Sequence, residues 1–175
     1  MATSGAHLLL LLRHAVAEEP TAGQADAERR LTAEGKRKLR DVVAGMRALD
    51  LPVDVVLTSP LRRTRETAAI VADGYGLADD RVVATPALAP GGAADDLRAA
   101  LGKCARCEGV VLVGHQPDLG ELASILLVGT PGLVPLPFKK AGLAGITVGA
   151  LPPRQAGVLE FFLTPAQLRR IGRER

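Results

Sequence analysis

Aromatic side chains are scarce in this sequence of 175 residues, which has no tryptophan, one tyrosine and three phenylalanines. Little aromatic surface is therefore left for stacking on bases, which argues against a protein that binds single-stranded nucleic acid. The net charge is only +3, and part of the excess lies in the C-terminal segment Leu168–Arg175. A nucleic-acid-binding protein would more often show a concentrated basic stripe, and we interpret this segment as the exposed end of a terminal helix.

Only two cysteines are present, Cys104 and Cys107. Two thiolates supply half of the ligands of a structural zinc site, and a redox Cys-x-x-Cys usually opens a helix after a strand near the start of a chain. We therefore expect two surface thiols in a reducing compartment, with no metal and no other cofactor. A zinc site shared between two chains is the alternative for this pair.

Long hydrophobic runs are also missing, because no stretch reaches the roughly 18 apolar residues that a membrane-spanning helix needs. The apolar run Leu8–Leu12 resembles the core of a signal peptide, but no Lys or Arg precedes it. It is also shorter than the usual ~7–15 residues of such a core. The length fits one domain over residues 1–175, and we expect a cytoplasmic protein with no membrane partner.

Shorter apolar runs recur along the chain and are typical of buried strands. They are His7–Leu12, Val53–Ser59 and Gly109–Gly114, with a shorter candidate at Arg81–Thr85. Two further runs flank Pro152–Gln155 and predict a C-terminal β-hairpin. Runs that are apolar throughout, rather than alternating, indicate strands buried on both faces, as in parallel sheets.

Segments with helical periodicity separate these runs. The clearest is Leu31–Asp50, for which Thr32 is the expected N-cap. The other predicted helices run from Ser59-Pro60 to about Asp73, over Ala93–Leu101, over Asp118–Val128 and from Thr164-Pro165 onward. Ser59 and Thr164 are the expected N-caps of the first and the last of these helices. Strands that alternate with helices predict an α/β fold with a mostly parallel central sheet and helices on both faces.

Polar side chains follow each of the three long buried strands. They are Arg13 and His14 after the first strand, Thr58, Ser59, Arg62, Arg63 and Arg65 after the second, and His115 after the third. Open α/β sheets bind ligands beyond the carboxyl ends of their strands. If these strands are parallel neighbours, two histidines and at least two arginines meet in one crevice.

This set of residues suits a phosphate dianion, because guanidinium groups match phosphate oxygens bidentately and an imidazolium would add charge. A histidine among these cations stays neutral at physiological pH and can attack phosphorus, giving a phosphohistidine intermediate. The remaining cations would stabilise the equatorial oxygens without a metal. Taken singly, each histidine could instead be structural and each arginine an exposed helix residue, and we expect His7, at the opposite end of its strand, to be structural.

Four segments form a recognisable set in order over Leu8–Leu119: LLRHAVAE, LTAEGKRKL, TSPLRRTRETA and VLVGHQPDL. They resemble the motifs of the histidine phosphatase superfamily, also called phosphoglycerate-mutase-like. The downstream segments FKKAGLAGITV and LTPAQL extend the resemblance. The whole set looks most like the SixA branch, which comprises small phosphohistidine phosphatases.

The resemblance implies a role for each matching residue. His14 matches the nucleophile that becomes phosphorylated, and Arg13 matches the arginine beside it. Arg63, rather than Arg62, matches the next arginine by its spacing from Ser-Pro. His115 matches the second histidine, which holds the phosphoryl group together with the two arginines. Ser59 is expected to contact the substrate, and Thr58 to help shape the pocket.

The sequence departs from the family pattern at two places. Ala15 stands where the family usually has glycine. Ala87 stands in the region where larger members carry a glutamate that protonates the leaving oxygen. The nearest acids, Asp95 and Asp96, are weak candidates for that role, because Asp is favoured in the first turn of a helix in any case.

The missing acid bears on the substrate. An alkoxide leaving group benefits about 10²–10⁴-fold from a general acid, whereas imidazole leaving from phosphohistidine is far less basic. We therefore expect a metal-free phosphatase that acts on phosphohistidine, in a histidine phosphotransfer domain of a signalling protein. The alternatives are a phosphatase of small phosphomonoesters on the same site, or a regulatory module that binds phosphate without turnover.

Overall fold

One six-stranded sheet organises the computed structural model, which describes residues 5–174. Its strands are β1 (His7–Arg13), β2 (Val55–Thr58), β3 (Val82–Ala84), β4 (Gly109–Gly114), β5 (Leu143–Val148) and β6 (Val158–Leu163). Their spatial order is β3-β2-β4-β1-β5-β6. The first four strands in this order are mutually parallel, and β5 and β6 add an antiparallel hairpin at one edge. The predicted mostly parallel sheet and C-terminal hairpin are confirmed.

Five α-helices cover the two faces of this sheet, as predicted. They are α1 (Ala33–Ala48), α2 (Arg62–Tyr75), α3 (Ala94–Gly102), α4 (Asp118–Val128) and α5 (Pro165–Arg173). Leu10 and Leu12 pack with side chains of α1, α2 and α5 on one face, and Leu9 and Leu11 pack with α3 and α4 on the other. Because successive strand residues point to opposite faces, an unbroken run of leucines is what a strand between two helical layers requires.

Helix starts follow the predicted capping residues in two of three cases. The Thr32 side chain accepts a hydrogen bond from the backbone of Gly35 at the start of α1, and Thr164 forms a capping box with Gln167 at the start of α5. The predicted start at Ser59-Pro60 is wrong, because α2 begins at Arg62 and has no side-chain cap. Ser59 is held at the sheet instead: its N–H donates to Val113 O at 3.0 Å, and its hydroxyl lies 2.8 Å from His115 Nε2.

The prediction of two surface thiols is wrong for Cys104. This residue is only 5% exposed and belongs to the hydrophobic core beside α3, where burial raises the pKa of its thiol to about 11. Cys107 is partly exposed. Within residues 5–174, no three or more His, Cys, Asp and Glu side chains are grouped to hold a metal ion. No helix in the same range is long and apolar enough to cross a membrane.

Close contact between α1 and α5 depends on glycine. A methyl group at Gly45 would collide with the carbonyl group of Leu168, and Gly172 of α5 also approaches the Gly45 backbone. Leu168 is fully buried where the two helices meet. By contrast, a methyl group at Gly102 of α3 would have Pro152 Cδ at 3.7 Å as its nearest contact. The two glycines therefore make a matched pair for testing this packing.

We expect Gly45→Ala to lower the free energy of unfolding by about 1–3 kcal/mol, the usual effect of overpacking. Gly102→Ala should leave stability unchanged or raise it by up to about 1 kcal/mol, because alanine is the better helix former. Urea denaturation of both variants measures the difference. Equal stability of the two variants would contradict the proposed dependence of the α1–α5 contact on Gly45.

Candidate active site

Parallel pairing brings the ends of three strands together. In the β1–β4 pair, Arg13 lies opposite Gly114, and the N–H of His14 donates to Gly114 O at 3.1 Å. The next side chains, His14 and His115, therefore lie side by side, with ring centroids 5.4 Å apart and ring planes at 57°. β2 flanks β4 on its other side and brings Ser59 to the same place.

The His14 ring is 6% exposed and has a defined tautomer. Its Nδ1 lies 2.7 Å from Ala15 O. Because a carbonyl oxygen only accepts hydrogen bonds, Nδ1 carries the proton, and the lone pair of Nε2 is left for other chemistry. Burial, together with the nearby Arg63, lowers the pKa of His14 to about 3, so the ring is neutral at physiological pH.

His115 is also neutral, and it is held at both ring nitrogens. Its Nδ1 lies 3.4 Å from Arg63 Nη2, and its Nε2 lies 2.8 Å from Ser59 Oγ. Guanidinium only donates, so Nδ1 accepts and Nε2–H donates to the serine. Burial and then Arg63 lower the pKa of His115 to about 4. The imidazolium expected beside the arginines is therefore a neutral imidazole in this structure.

Two arginines lie beside the histidines, each with one polar group that has no partner. Arg63, 5% exposed, donates to the backbone and side chain of Asp26, and Arg13 Nη1 donates to Phe138 O at 2.7 Å. The Nε–H groups of both arginines are buried and have no hydrogen-bond partner among residues 5–174. A buried donor without a partner costs about 1–3 kcal/mol, so the donor set fits the oxygens of a bound anion.

The other arginines of α2 belong to a different surface. Arg62 is 39% exposed and pairs with Glu66, its Nε lying 3.2 Å from the carboxylate. Together with Arg65 it lines a depression of about 830 Å³ that includes neither of the two site histidines among its lining residues. Arg63, as the spacing from Ser-Pro indicated, is the arginine of this helix that faces the histidines.

His7 and the two candidate acids, Asp95 and Asp96, lie away from this site. His7 is at the amino end of β1, where its Nδ1 lies 2.6 Å from Cys107 O. Asp95 and Asp96 are exposed in the first turn of α3. A groove of about 280 Å³ adjoins His115 between α3 and α4, and neither aspartate lines it. Ala87 does line this groove, together with Asp118 and Glu121 of α4, and the Ala87 side chain has no proton to give.

The backbone at Arg13 and His14 is held in place by Ala141, which lies in the chain segment just before β5. Ala141 has a φ of 62°, which is unusual for a residue with a Cβ atom. Its N–H lies 3.1 Å from Arg13 O and 3.2 Å from His14 O. Ala15, in contrast, has no positive φ, and its buried methyl group packs in the core. The departure from glycine at Ala15 therefore introduces no backbone strain.

Asp26 is a site residue that the sequence did not suggest. It lies in a short 3₁₀ turn, Asp26–Glu28, and its carboxylate is 3.0 Å from Arg63 Nη2. Hydrogen bonds, first from Arg29 and then from Arg63, hold the pKa of Asp26 below its usual range despite some burial. It is separated from Arg63 by 37 positions and lies in a polar loop, so no local pattern could have linked the two residues.

Comparisons with known sequences agree with this geometry. The profile of the histidine phosphatase superfamily (branch 1) matches residues 9–89. A protein of Picosynechococcus sp., described as uncharacterized, is 37% identical over 147 residues, which is 81% of this chain and 86% of the relative.

Solved structures share the fold. The protein histidine phosphatase SixA, determined with tungstate, has a TM-score of 0.78 at 24% identity and covers 92% of this chain and 99% of its own. A protein from Nakamurella multipartitia, provisionally assigned as the phosphohistidine phosphatase SixA, reaches 0.71 at 27% identity, with coverages of 93% and 98%. A mycobacterial glucosyl-3-phosphoglycerate phosphatase reaches 0.66 at 17% identity, with coverages of 91% and 99%. The chain has the phosphoglycerate-mutase-like fold of these proteins, belongs to the histidine phosphatase superfamily, and is a phosphatase.

Proposed function

We propose that this phosphatase hydrolyses phosphohistidine in a histidine phosphotransfer domain of a signalling protein in the cytoplasm, through a phosphorylated His14. The observation that carries the proposal is the Nε2 atom of His14, unprotonated because Nδ1–H is engaged by Ala15 O. It lies among two arginines whose buried Nε–H groups have no partner in residues 5–174. This combination supplies a neutral nucleophile and donors for an anion within one site.

In the first step, the lone pair of His14 Nε2 forms a bond to phosphorus while the bond from phosphorus to the substrate nitrogen breaks. Arg13 and Arg63 donate to the phosphoryl oxygens, where their fixed positive charge offsets the charge of the transition state. His115 lies beside them, and a bound dianion favours its protonation. Ser59, which accepts from His115 Nε2, fixes the orientation of that ring. No metal is required for this step.

The leaving group explains why Ala87 is acceptable. A phosphohistidine ring has a second nitrogen that faces away from phosphorus. When that nitrogen takes a proton from solvent, the ring departs as neutral imidazole and needs no acid at the scissile bond. An alkyl phosphate has no such second site, so its oxygen needs a proton donor inside the groove.

The second step reuses the tautomer of His14. Water attacks the phosphorus of phospho-His14, the P–Nε2 bond breaks, and its electrons return to Nε2. The ring leaves as neutral imidazole because Nδ1 already holds a proton, shared with Ala15 O. The water loses its proton to solvent or to the phosphate, which departs and leaves the enzyme in its starting state.

Small phosphomonoesters are the second candidate substrates. The likeness in fold to a glucosyl-3-phosphoglycerate phosphatase favours small substrates. So does the low exposure of the site, because His14, Arg63 and His115 are each less than a tenth exposed. The third candidate, a module that binds phosphate without turnover, predicts that His14 is never phosphorylated. The following experiments separate the three.

We expect His14→Ala to lower phosphohistidine hydrolysis at least about 10³-fold, because the nucleophile is removed. Acid-quench trapping with a ³²P-labelled phosphohistidine protein should label the wild-type chain on His14. His7→Ala, which changes a histidine at the far end of the same strand, is the control and should keep both activity and label. Unlabelled wild-type protein that still binds phosphate would support the binding module and contradict the proposal.

We expect neither site histidine to titrate near pH 6.5. Because burial and the arginines lower the pKa values of His14 and His115 to about 3 and 4, both rings stay neutral as the pH falls from 8 to 5. NMR of the ring Cε1–H signals measures this directly. Adding inorganic phosphate should raise the pKa of His115, since a dianion favours the imidazolium form. Titration of the His14 or His115 ring near pH 6.5 without added phosphate would contradict the assigned charge states.

We expect Ala87→Glu to raise kcat/KM for an alkyl phosphate by about tenfold or more, because it adds a proton donor to the groove beside His115. Hydrolysis of phosphohistidine should not gain. Ala87→Gln has nearly the same size but no acidic proton, and is the control. Wild-type protein that turns over sugar phosphates rapidly and phosphohistidine not at all would reverse the order of the two candidate substrates.

A further inference from the structure

The guanidinium group of Arg63 uses one edge for Asp26, and on its other edge the Nε–H group has no partner in the described part of the chain. Nη1 donates to Asp26 O at 2.8 Å, and Nη2 donates to Asp26 Oδ2 at 3.0 Å. Nε–H, on the second edge, has no partner among residues 5–174, and Nη2, shared by both edges, also lies 3.4 Å from His115 Nδ1. We propose that Asp26 is a positioning residue, which clamps one edge of Arg63 so that the edge beside His115 faces the phosphoryl group.

Asp26 is itself held in place, as a clamp must be. Its second carboxylate oxygen, Oδ1, accepts from Arg29 Nη1 at 2.8 Å, and Arg29 Nε donates to Glu18 O at 2.8 Å. The loop that carries these residues is closed at its base by a bridge between Ala17 and Leu31. Because both carboxylate oxygens are used, the position of Asp26 is set by its own loop and not by Arg63 alone.

Arginine benefits from such a clamp because its long side chain otherwise loses rotamer entropy when an anion orders it. With one edge already bound, Arg63 keeps its Nε–H group free for a phosphate oxygen. Nη2 lies on the same edge and completes a side-on contact with a second oxygen when it exchanges His115 Nδ1 for the substrate. Asp26 also supplies negative charge next to a buried cation, which offsets part of the cost of burying it. The Nε–H group of Arg63 thus remains available to the substrate.

Charge and geometry predict opposite effects of removing Asp26. If the carboxylate acted only through its charge, its loss would strengthen the binding of an anion to Arg63. If it acts by positioning, its loss weakens binding although a negative charge has been removed. The sign of the change in affinity therefore distinguishes the two roles.

The inference rests on the proposed phosphoryl site, and the probe is tungstate, a tetrahedral dianion whose binding needs no turnover. Calorimetry measures its dissociation constant for wild type, Asp26→Ala, Asp26→Asn, Arg63→Ala and the double variant Asp26→Ala/Arg63→Ala. Asp80→Ala is the matched control, because Asp80 is an exposed aspartate in another 3₁₀ turn. Circular dichroism checks that each variant is folded.

We expect Asp26→Ala to weaken tungstate binding by about tenfold or more, the size expected for losing hydrogen bonds to a charged group. Asp26→Asn, which keeps one oxygen for Arg63, should recover most of the affinity, and Asp80→Ala should bind like wild type. In the Arg63→Ala background, the Asp26 change should alter affinity by less than about twofold, because coupled residues are not additive.

Tighter or unchanged binding by Asp26→Ala would overturn the inference, and the first of these results would make Asp26 a competitor of phosphate. An equal loss with and without Arg63 would also overturn it, because the effect would then be general to the loop. Each of these results would leave the proposed function intact. If Arg63→Ala binds tungstate like wild type, the phosphoryl site itself is misplaced, and the inference and the proposed function fail together.

Discussion

The register between β1 and β4 is the constraint on which the site depends. Arg13 lies opposite Gly114, so the residue that follows each of them is a histidine at the same edge of the sheet. A slip of one residue would shift one ring by about 3.3 Å along the strand and turn it to the other face. Because β1 carries leucine on both faces, its register is set at the ends of the run, where a slip would draw His7 or Arg13 toward the apolar layers under the helices.

Burial affects the arginines and the histidines of the site differently. The arginines keep their charge even when they are withdrawn from water, whereas the histidines respond to the same burial by losing their protons. Low exposure and neighbouring positive charge thus produce a neutral imidazole beside fixed cations, which is the combination that nucleophilic attack on a dianion requires. The cost of burying Arg63 is shared with Asp26, and Arg13 is bound by a backbone carbonyl instead.

The sequence predicted this crevice well because its strands are strongly marked. Runs such as Gly109–Gly114 are apolar throughout and match the observed strand, and the rule that ligands bind at strand ends placed His14 and His115 together. Prediction failed where tertiary contacts decide the outcome. Ser59 has the chemistry of a helix cap, yet it is held by the sheet and by His115. Asp26 reaches Arg63 across 37 positions, and neither residue carries a local sign of the other.

Residue 15 is alanine where the family usually has glycine, and its surroundings show what His14 requires from that position. What His14 needs from residue 15 is a carbonyl oxygen at 2.7 Å from Nδ1, and every amino acid provides one. A glycine would be needed only if the backbone adopted a positive φ there, and it does not. The strained residue is Ala141, whose φ of 62° lets a single N–H reach the carbonyl oxygens of both Arg13 and His14. Strain held by surrounding structure is typical of functional sites. Here it lies in the segment that supports the candidate nucleophile His14, which itself has no positive φ.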